Sequence, residues 1–345
     1  MFRFVIGKLF YSLLVLWGVA TLVFVLFNAV GGNAADMSLG QRSDMSSQEA
    51  VNKEFGLNKP PAVRYLLYLN DLSILSFYSN ENEAHGLKIL PIGSSGIYLK
   101  APYLRRSFQS RRPVSEIIAE GMKGTIVLAA AAMLLASLLG IGFGMVAALF
   151  KGRWQDRAIM LVSTLGISMP SFFAAVLIAW LFGYLLQSYT GLNMTGSLMD
   201  YSFENGEHIA WKNLILPALT LGIRPLAVIV QLTRSSLLDV LQQDYIRTAR
   251  AKGLSEWTVL FKHALRNALN SVITAVSGWF ASLMAGAFFV EYVFNWKGIG
   301  KTTVEALEKN DLPVLMGSVL TVAMFFVVIN IVVDMAYKWL DPRVT

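Results

Sequence analysis

The sequence predicts an all-α polytopic membrane protein: six transmembrane helices, a basic loop between the fourth and fifth, and a long external loop after the first. Three observations predict it. The 345 residues are 55% hydrophobic and only 15% charged, against about 25% charged in soluble domains. Their apolar residues cluster into blocks that reach the roughly 20 residues needed to cross a bilayer. Basic residues are also sorted unequally among the connecting loops. The net charge of +7 would by itself admit a nucleic-acid partner, but in such a chain its distribution carries more than its sum. There is no cysteine, which excludes disulfide staples, thiolate metal sites and thiol nucleophiles and says nothing of redox compartment.

Residues 1–30 hold a cytoplasmic N-terminus and a first span, an apolar run over 9–30 behind Arg3 and Lys8. A cleaved signal peptide starts alike, but its apolar core is only about 7 to 15 residues long, so a permanent span is predicted. Residues 31–123 are polar and mixed and form an external region. Pro60 and Pro61 break it, residues 63–72 suit a short amphipathic helix, and Arg105, Arg106, Arg111 and Arg112 form a basic cluster. That cluster is read as an ordinary solvated face, with acidic lipid headgroups or a partner as the alternative.

The membrane core is residues 124–345. A second span at 125–150 carries Gly140 and Gly144 at the spacing that lets helices approach closely; packing inside this chain is preferred to a homodimer seam. Lys151, Arg153 and Arg157 mark a short basic loop. The third span, 158–186, contains Pro170. Backbone freed by a proline is tolerated at depth only when buried in protein or facing a wet cavity, so Pro170 lines a pathway or makes a packing kink; both readings stand. Residues 191–213 are polar, with Asp200, Glu204 and Glu207, and the Asn193-Met194-Thr195 sequon is a common chance match. The fourth span, 214–232, holds Arg224 near its middle. A central arginine costs about 2.5 to 3.5 kcal/mol on insertion scales, so it should face protein or a water-filled cavity. Spans at 272–290 and 314–337 complete the six.

The loop at 237–270 lies in water, since it carries Arg247, Arg250, Lys252, Lys262 and Arg266. Two short helices fit it. The first ends at Gly253, suited to the left-handed position after a helix, with Leu254 closing the cap. Ser255 can cap the second, in which Trp257, Leu260, Phe261, Ala264, Leu265 and Ala268 share one face, with Lys262, His263, Arg266 and Asn267 off it. The turn also has the spacing of a DNA-reading helix-turn-helix. A recognition helix must enter a groove about 12 Å wide, and this one is tethered at both ends, so no nucleic acid is expected. A rigid tethered hairpin suits docking onto a soluble protein.

Six spans put both termini on one side. The short segments there carry Arg3, Lys8, Lys151, Arg153, Arg157, Arg234, the hairpin's basic residues, Lys338 and Arg343, whereas the opposite short loops carry Lys212, Lys297, Lys301 and Lys309. The positive-inside rule therefore places the termini and hairpin in the cytoplasm. Residues 295–302 (NWKGIGKT) approach a phosphate-cradling loop, but Asn295 replaces its first glycine and the segment faces outside. His85, His208 and His263 sit in separate loops, so no metal is expected. No residues suggest an enzyme.

The residues also carry a family resemblance. DYIRTARAKGL at 244–254 resembles the cytoplasmic EAA loop of ABC importer permeases, and HALRNAL at 263–269 its continuation in the dipeptide and oligopeptide permease family. FGLNKP at 55–60, LILPALTLG at 214–222, LTRSSLLDVL at 232–241, GAFFVEYVFNWKGIG at 286–300 and DPRV at 341–344 extend the likeness over nearly the whole chain. It implies a permease subunit in the cell membrane, paired with a homologous second permease, two cytoplasmic ATPases and an external solute-binding protein, importing peptides. ATP would be bound by the partner subunits and no cofactor by this chain. Tyr245, Ile246, Arg247, Thr248, Ala249, Arg250, Ala251, Lys252, Gly253 and Leu254 would form the coupling segment in a groove of the ATPase. Small Ala249 and Ala251 would permit close approach, and Arg247, Arg250 and Lys252 would pair with carboxylates; a solvated loop on lipid headgroups is the plainer alternative.

Arg224 departs from the usual apolar residue, and with Pro170 it is assigned to the translocation path, where it would attract a carboxylate of the solute or serve packing. Asn270-Ser271 and Lys297 depart from the family pattern too, and residues 74–112 lack its glycine-rich region. Similar permeases take nickel complexes, glutathione or sugars. An ATPase-independent channel or secondary transporter, and a membrane-anchored scaffold, are the other classes.

Overall fold

In the computed structural model, residues 2–30, 59–78, 86–92, 95–202 and 206–340 are described. Most of the stretch at 55–60, the acidic residues expected at 36–54, Glu81, Glu83, His85, Glu204 and the residues at 341–344 lie outside them. The chain divides into two units, Met1–Gly121 with Thr302–Met324, and Met122–Lys301 with Phe325–Thr345.

In the first unit, α1 (Phe2–Val30) is one unbroken helix whose outward apolar side chains, among them Phe10, Leu13, Trp17 and Leu22, are well exposed. Helix α2 (Pro61–Leu72) starts where the two prolines demand, Pro61 occupying a first-turn position that needs no N–H. Tyr65 and Tyr68 of α2 pack on Phe24 of α1, and Tyr65 shares a 2.7 Å hydrogen bond with Thr21. A small sheet accompanies the helices of this mostly helical fold. Strands β1 (Leu75–Tyr78), β2 (Leu87–Ile92) and β3 (Ser95–Leu99) form an antiparallel sheet in the order β1-β3-β2. Its signal is alternation, with Ser76 and Tyr98 inward and Leu75, Phe77 and Leu99 outward. Two of the four arginines in the basic cluster form local ion pairs: Arg105 reaches Asp71 at 2.9 Å, and Arg112 reaches Glu120 at 2.5 Å.

Helix α3 (Val114–Leu149) begins well before the apolar stretch at 125 and passes into the second unit. There α4 (Trp154–Ser168) and α5 (Ser171–Trp180) follow, the latter running into a wide turn at Leu181–Leu185. A two-stranded ribbon, β4 (Met199–Ser202) with β5 (Gly206–Ile209), leads to α6 (Lys212–Leu241). Next come α7 (Asp244–Ala251), a second hairpin arm at Glu256–Thr258 and Val259–Leu265, and α8 (Arg266–Gly286). Short α9 (Phe288–Val293), α10 (Ile299–Glu308) and long α11 (Leu312–Leu340) finish the chain.

Helix α6 is the spine of this unit: α4, α5, α8 and α9 all pack on it. Its two internal prolines, Pro217 and Pro225, are buried. The glycine pair of α3 serves that spine, because a Cβ on Gly140 would meet Ile229 and one on Gly144 would meet Thr233. The small-residue pair is thus an internal seam, as preferred from sequence.

Among the described residues, α3, α6 and the Leu312–Met335 part of α11 are long and apolar enough to cross a membrane; α4 and α5 would together make a fourth. The third span is not continuous as expected: α4 and α5 meet at 114° across Met169 and Pro170. Pro170 has no N–H to continue α4, and the backbone turns there instead. The helix that holds most of the expected fifth span begins earlier, at Arg266, and ends at Gly286, before the separate α9.

Candidate functional site

The basic hairpin is built by local end signals. Helix α7 stops with Gly253 at φ +78°, and the Gly253 and Leu254 amides donate to the carbonyls of Arg250 and Ala249. These are the paired bonds of a Schellman cap. Ser255 then accepts from the Thr258 amide at 3.3 Å and starts the second arm. Both caps fall where the sequence places them.

The hairpin is anchored by an apolar cluster in which Ile246 and Ala249 of α7 meet Val259, Leu260, Ala264 and Ala268 of the second arm, Leu237 of α6 and Ala148 of α3. The second arm differs from the expected pattern. Trp257 and Phe261, placed on the inner face by a 3.6-residue period, are 70% and 48% exposed and stack on each other, centroids 5.5 Å apart. The cause is the wide turn at Val259–Leu265, whose longer period carries Phe261 within it and Trp257 before it off the buried stripe.

The other side of α7 faces solvent. Tyr245, Arg247, Thr248, Arg250, Ala251, Lys252, Gly253 and Leu254 are exposed, whereas Ile246 and Ala249 point inward. Ala249 therefore makes its close approach within the hairpin, and Ala251 is the small residue on the free face. Arg250 is held by Glu256 through two bonds of 2.9 and 3.1 Å, and Arg247 lies 3.5 Å from Asp244. Asn267 donates to the Tyr245 hydroxyl at 2.9 Å, tying the two arms.

The two residues assigned to the translocation path come together at the break between α4 and α5. Arg224 of α6 directs Nη2 to the carbonyl of Met169, the residue before Pro170, at 3.4 Å. Its side chain is exposed, although Leu221, Gly222, Pro225 and Ala227 around it on α6 are buried.

Two further constellations join residues far apart in the sequence. Asp156 at the start of α4 takes a forked pair of bonds from Arg234 of α6, at 2.6 and 2.8 Å, and accepts the Gly152 amide at 2.9 Å. That pair locks the basic loop after α3 to the stem of the hairpin. Glu291 of α9 is fully buried and accepts from the Thr125 hydroxyl at 2.6 Å and from the Gly300 and Lys301 amides at 2.7 and 3.1 Å. Burial pushes its carboxyl up to about 7, against the pull of Thr125 and those two amides. The amides that would cradle a phosphate in residues 295–302 are therefore bound to a carboxylate of the same chain. Asn295, at φ +56°, closes α9 where a first glycine would stand and accepts Lys301 Nζ at 2.5 Å.

Residues 140–345 match the family described as binding-protein-dependent transport system inner membrane component, and residues 1–129 match its N-terminal companion. The chain is 33% identical to the dipeptide transport system permease protein of Alkalihalophilus pseudofirmus, covering 100% of this chain and 99% of that one. It is 34% identical to the glutathione transport system permease protein of Salmonella choleraesuis, with the same coverage. In fold it resembles a solved chain of the inward-facing MetNI methionine ABC transporter, at a TM-score of 0.53 and 14% identity, over 66% of this chain and 97% of that one.

Proposed function

The chain belongs to the binding-protein-dependent transport system inner membrane components and is a multi-pass permease subunit of an ABC importer; from that premise we propose that it forms half of a path for short peptides, opened by ATPases docked on residues 244–254. The hairpin carries this reading. One face of α7 is fixed in the cluster of Ile246, Ala249, Leu237 and Ala148, so a push on the other face is passed to α6 and α3 without being absorbed by loop motion. That other face offers Tyr245, Arg247, Ala251, Lys252 and Leu254, a mixture of aromatic anchor, cations and small residue that fits an acidic-rimmed groove.

A homologous second permease would complete the path, two ATPases would bind and hydrolyse the nucleotide, and an external binding protein would deliver cargo. The hairpin and termini would lie in the cytoplasm. Peptides are preferred to nickel complexes or sugars because the two relatives' named cargoes, a dipeptide and glutathione, are both short peptides. The test is charge reversal on the free face. Replacing Arg247 and Lys252 together by Glu should strip the ATPases from the purified complex and abolish ATP-driven peptide uptake in proteoliposomes. Retention of both would refute docking at this face.

A further inference from the structure

We propose that Arg224 is a cargo-carboxylate site at the break between α4 and α5, where the guanidinium exchanges the Met169 carbonyl for the carboxylate of a passing solute. This rests on the importer reading and adds to it the chemical class that the path selects.

The guanidinium is underused where it stands. It presents five N–H donors, and its one bond, to Met169, is 3.4 Å long, beyond the 2.7 to 3.2 Å usual for such bonds. No Asp or Glu occurs at 158–185 or 213–238, and Asp156 at the start of α4 is taken by Arg234, so neither α6 around Arg224 nor the helix pair beside it supplies a counter-charge. Among the described residues, no carboxylate pairs with it. A cation near the middle of a membrane-spanning helix, exposed and without an internal partner, faces water or an anion rather than lipid.

Its neighbour strengthens the case. The Met169 carbonyl is left at the end of α4 because the backbone turns through 114° at Pro170. Irregular backbone of this kind is tolerated at depth where it is buried in protein or lines a wet cavity, and the exposed Arg224 beside it favours the second. On the α5 side, Phe172 and Phe173 are about half exposed. One fixed cation beside apolar walls is the arrangement that orients a ligand with a carboxylate at one end and an uncharged remainder. An arginine takes a carboxylate with two parallel bonds, which a lone long contact to a carbonyl cannot match. The exchange trades one long contact for a charge-assisted pair, and it frees the carbonyl at the point where the two helices meet.

The complex with its ATPases and binding protein, reconstituted in proteoliposomes, tests this. The probes are alanyl peptides of two to five residues, as free acids and as C-terminal amides. Wild type should take up the acids roughly ten- to a hundredfold faster than the amides. Arg224→Gln should lower the ratio about tenfold or more below wild type, and Arg224→Lys, a point charge without the fork, should leave an intermediate ratio. The binding protein is identical throughout, so its own preference cancels between variants. An unchanged ratio in Arg224→Gln, or no preference in wild type, overturns the proposal while leaving the importer intact. Absence of ATP-dependent uptake of either probe overturns the peptide-importer reading, and this inference with it. Should the glutamine variant fail to assemble, the lysine variant decides: an undiminished ratio overturns the site.

Discussion

Glu291, inside the stretch at 286–300, organises its surroundings through contacts that the stretch alone does not announce. Its carboxylate takes the Gly300 and Lys301 amides at the start of α10, and Thr125 supplies a third donor while accepting the Ile299 amide at 2.9 Å. Removing the acceptor by Glu291→Ala leaves at least two buried donors open, each costing about 1 to 3 kcal/mol, and should lower the melting temperature of the detergent-purified protein sharply. The proton on Glu291 is held more tightly in the folded chain, about 7 against an ordinary 4.5. Stability from this group is accordingly full below about 4.5 and declines as pH rises to about 7, by on the order of 3 kcal/mol. Melting curves across that interval should show the decline in wild type and a flatter profile in Glu291→Gln; identical profiles would contradict the assignment. Gly298 and Gly300 are fixed by the same carboxylate, since a Cβ on either would sit against it. Thr125 and Glu291 are 166 residues apart, and a long-range pair of this kind leaves no local trace from which a sequence reader could recover it. The near-match to a phosphate loop was visible, but its meaning depended on which oxygen the amides meet.

Elements divide according to how local their causes are. Both hairpin caps were legible because a glycine in the left-handed region and a serine N-cap act within four residues of themselves. A Cβ on Gly253 would find nothing within 4 Å, so Gly253→Ala pays only the backbone strain of about 1 to 2 kcal/mol. It should lower peptide uptake per ATP hydrolysed while the complex still assembles; unaltered coupling would show that the cap's geometry is not transmitted. The face of the second arm was not legible, because a 3.6-residue period assumes no wide turn, and Val259–Leu265 contains one. Pro170 announced an interruption, but the 114° angle is set by what α5 packs on, including Phe172 against Phe289 at 6.1 Å. The paired glycines of α3 form the internal seam that their spacing predicts. Gly144→Leu should force α3 from Thr233, at a cost of about 1 to 3 kcal/mol for overpacking, read as a lower melting temperature.

At the scale of the whole molecule, the class was legible from hydropathy blocks and from the sorting of basic residues, which are averages over many side chains and survive local errors. The external segment was less so: its strands are four to six residues long, and their alternation is brief beside the apolar runs. Charge sorting makes a claim about orientation that chemistry can check directly. The sequence has no cysteine, so a single introduced thiol is the one thiol of this chain that a maleimide can label, read on the purified protein. Lys252 lies on the exposed tip of the hairpin, and Lys309 follows α10 with its side chain 60% exposed. If the positive-inside reading holds, a membrane-impermeant maleimide should label Lys309→Cys in intact cells but reach Lys252→Cys only after permeabilisation. The reverse pattern would put the hairpin outside, away from any source of ATP. A face carrying Arg247, Arg250 and Lys252 would then lie where no nucleotide cycle could drive it, and the coupling role of residues 244–254 would have to be abandoned.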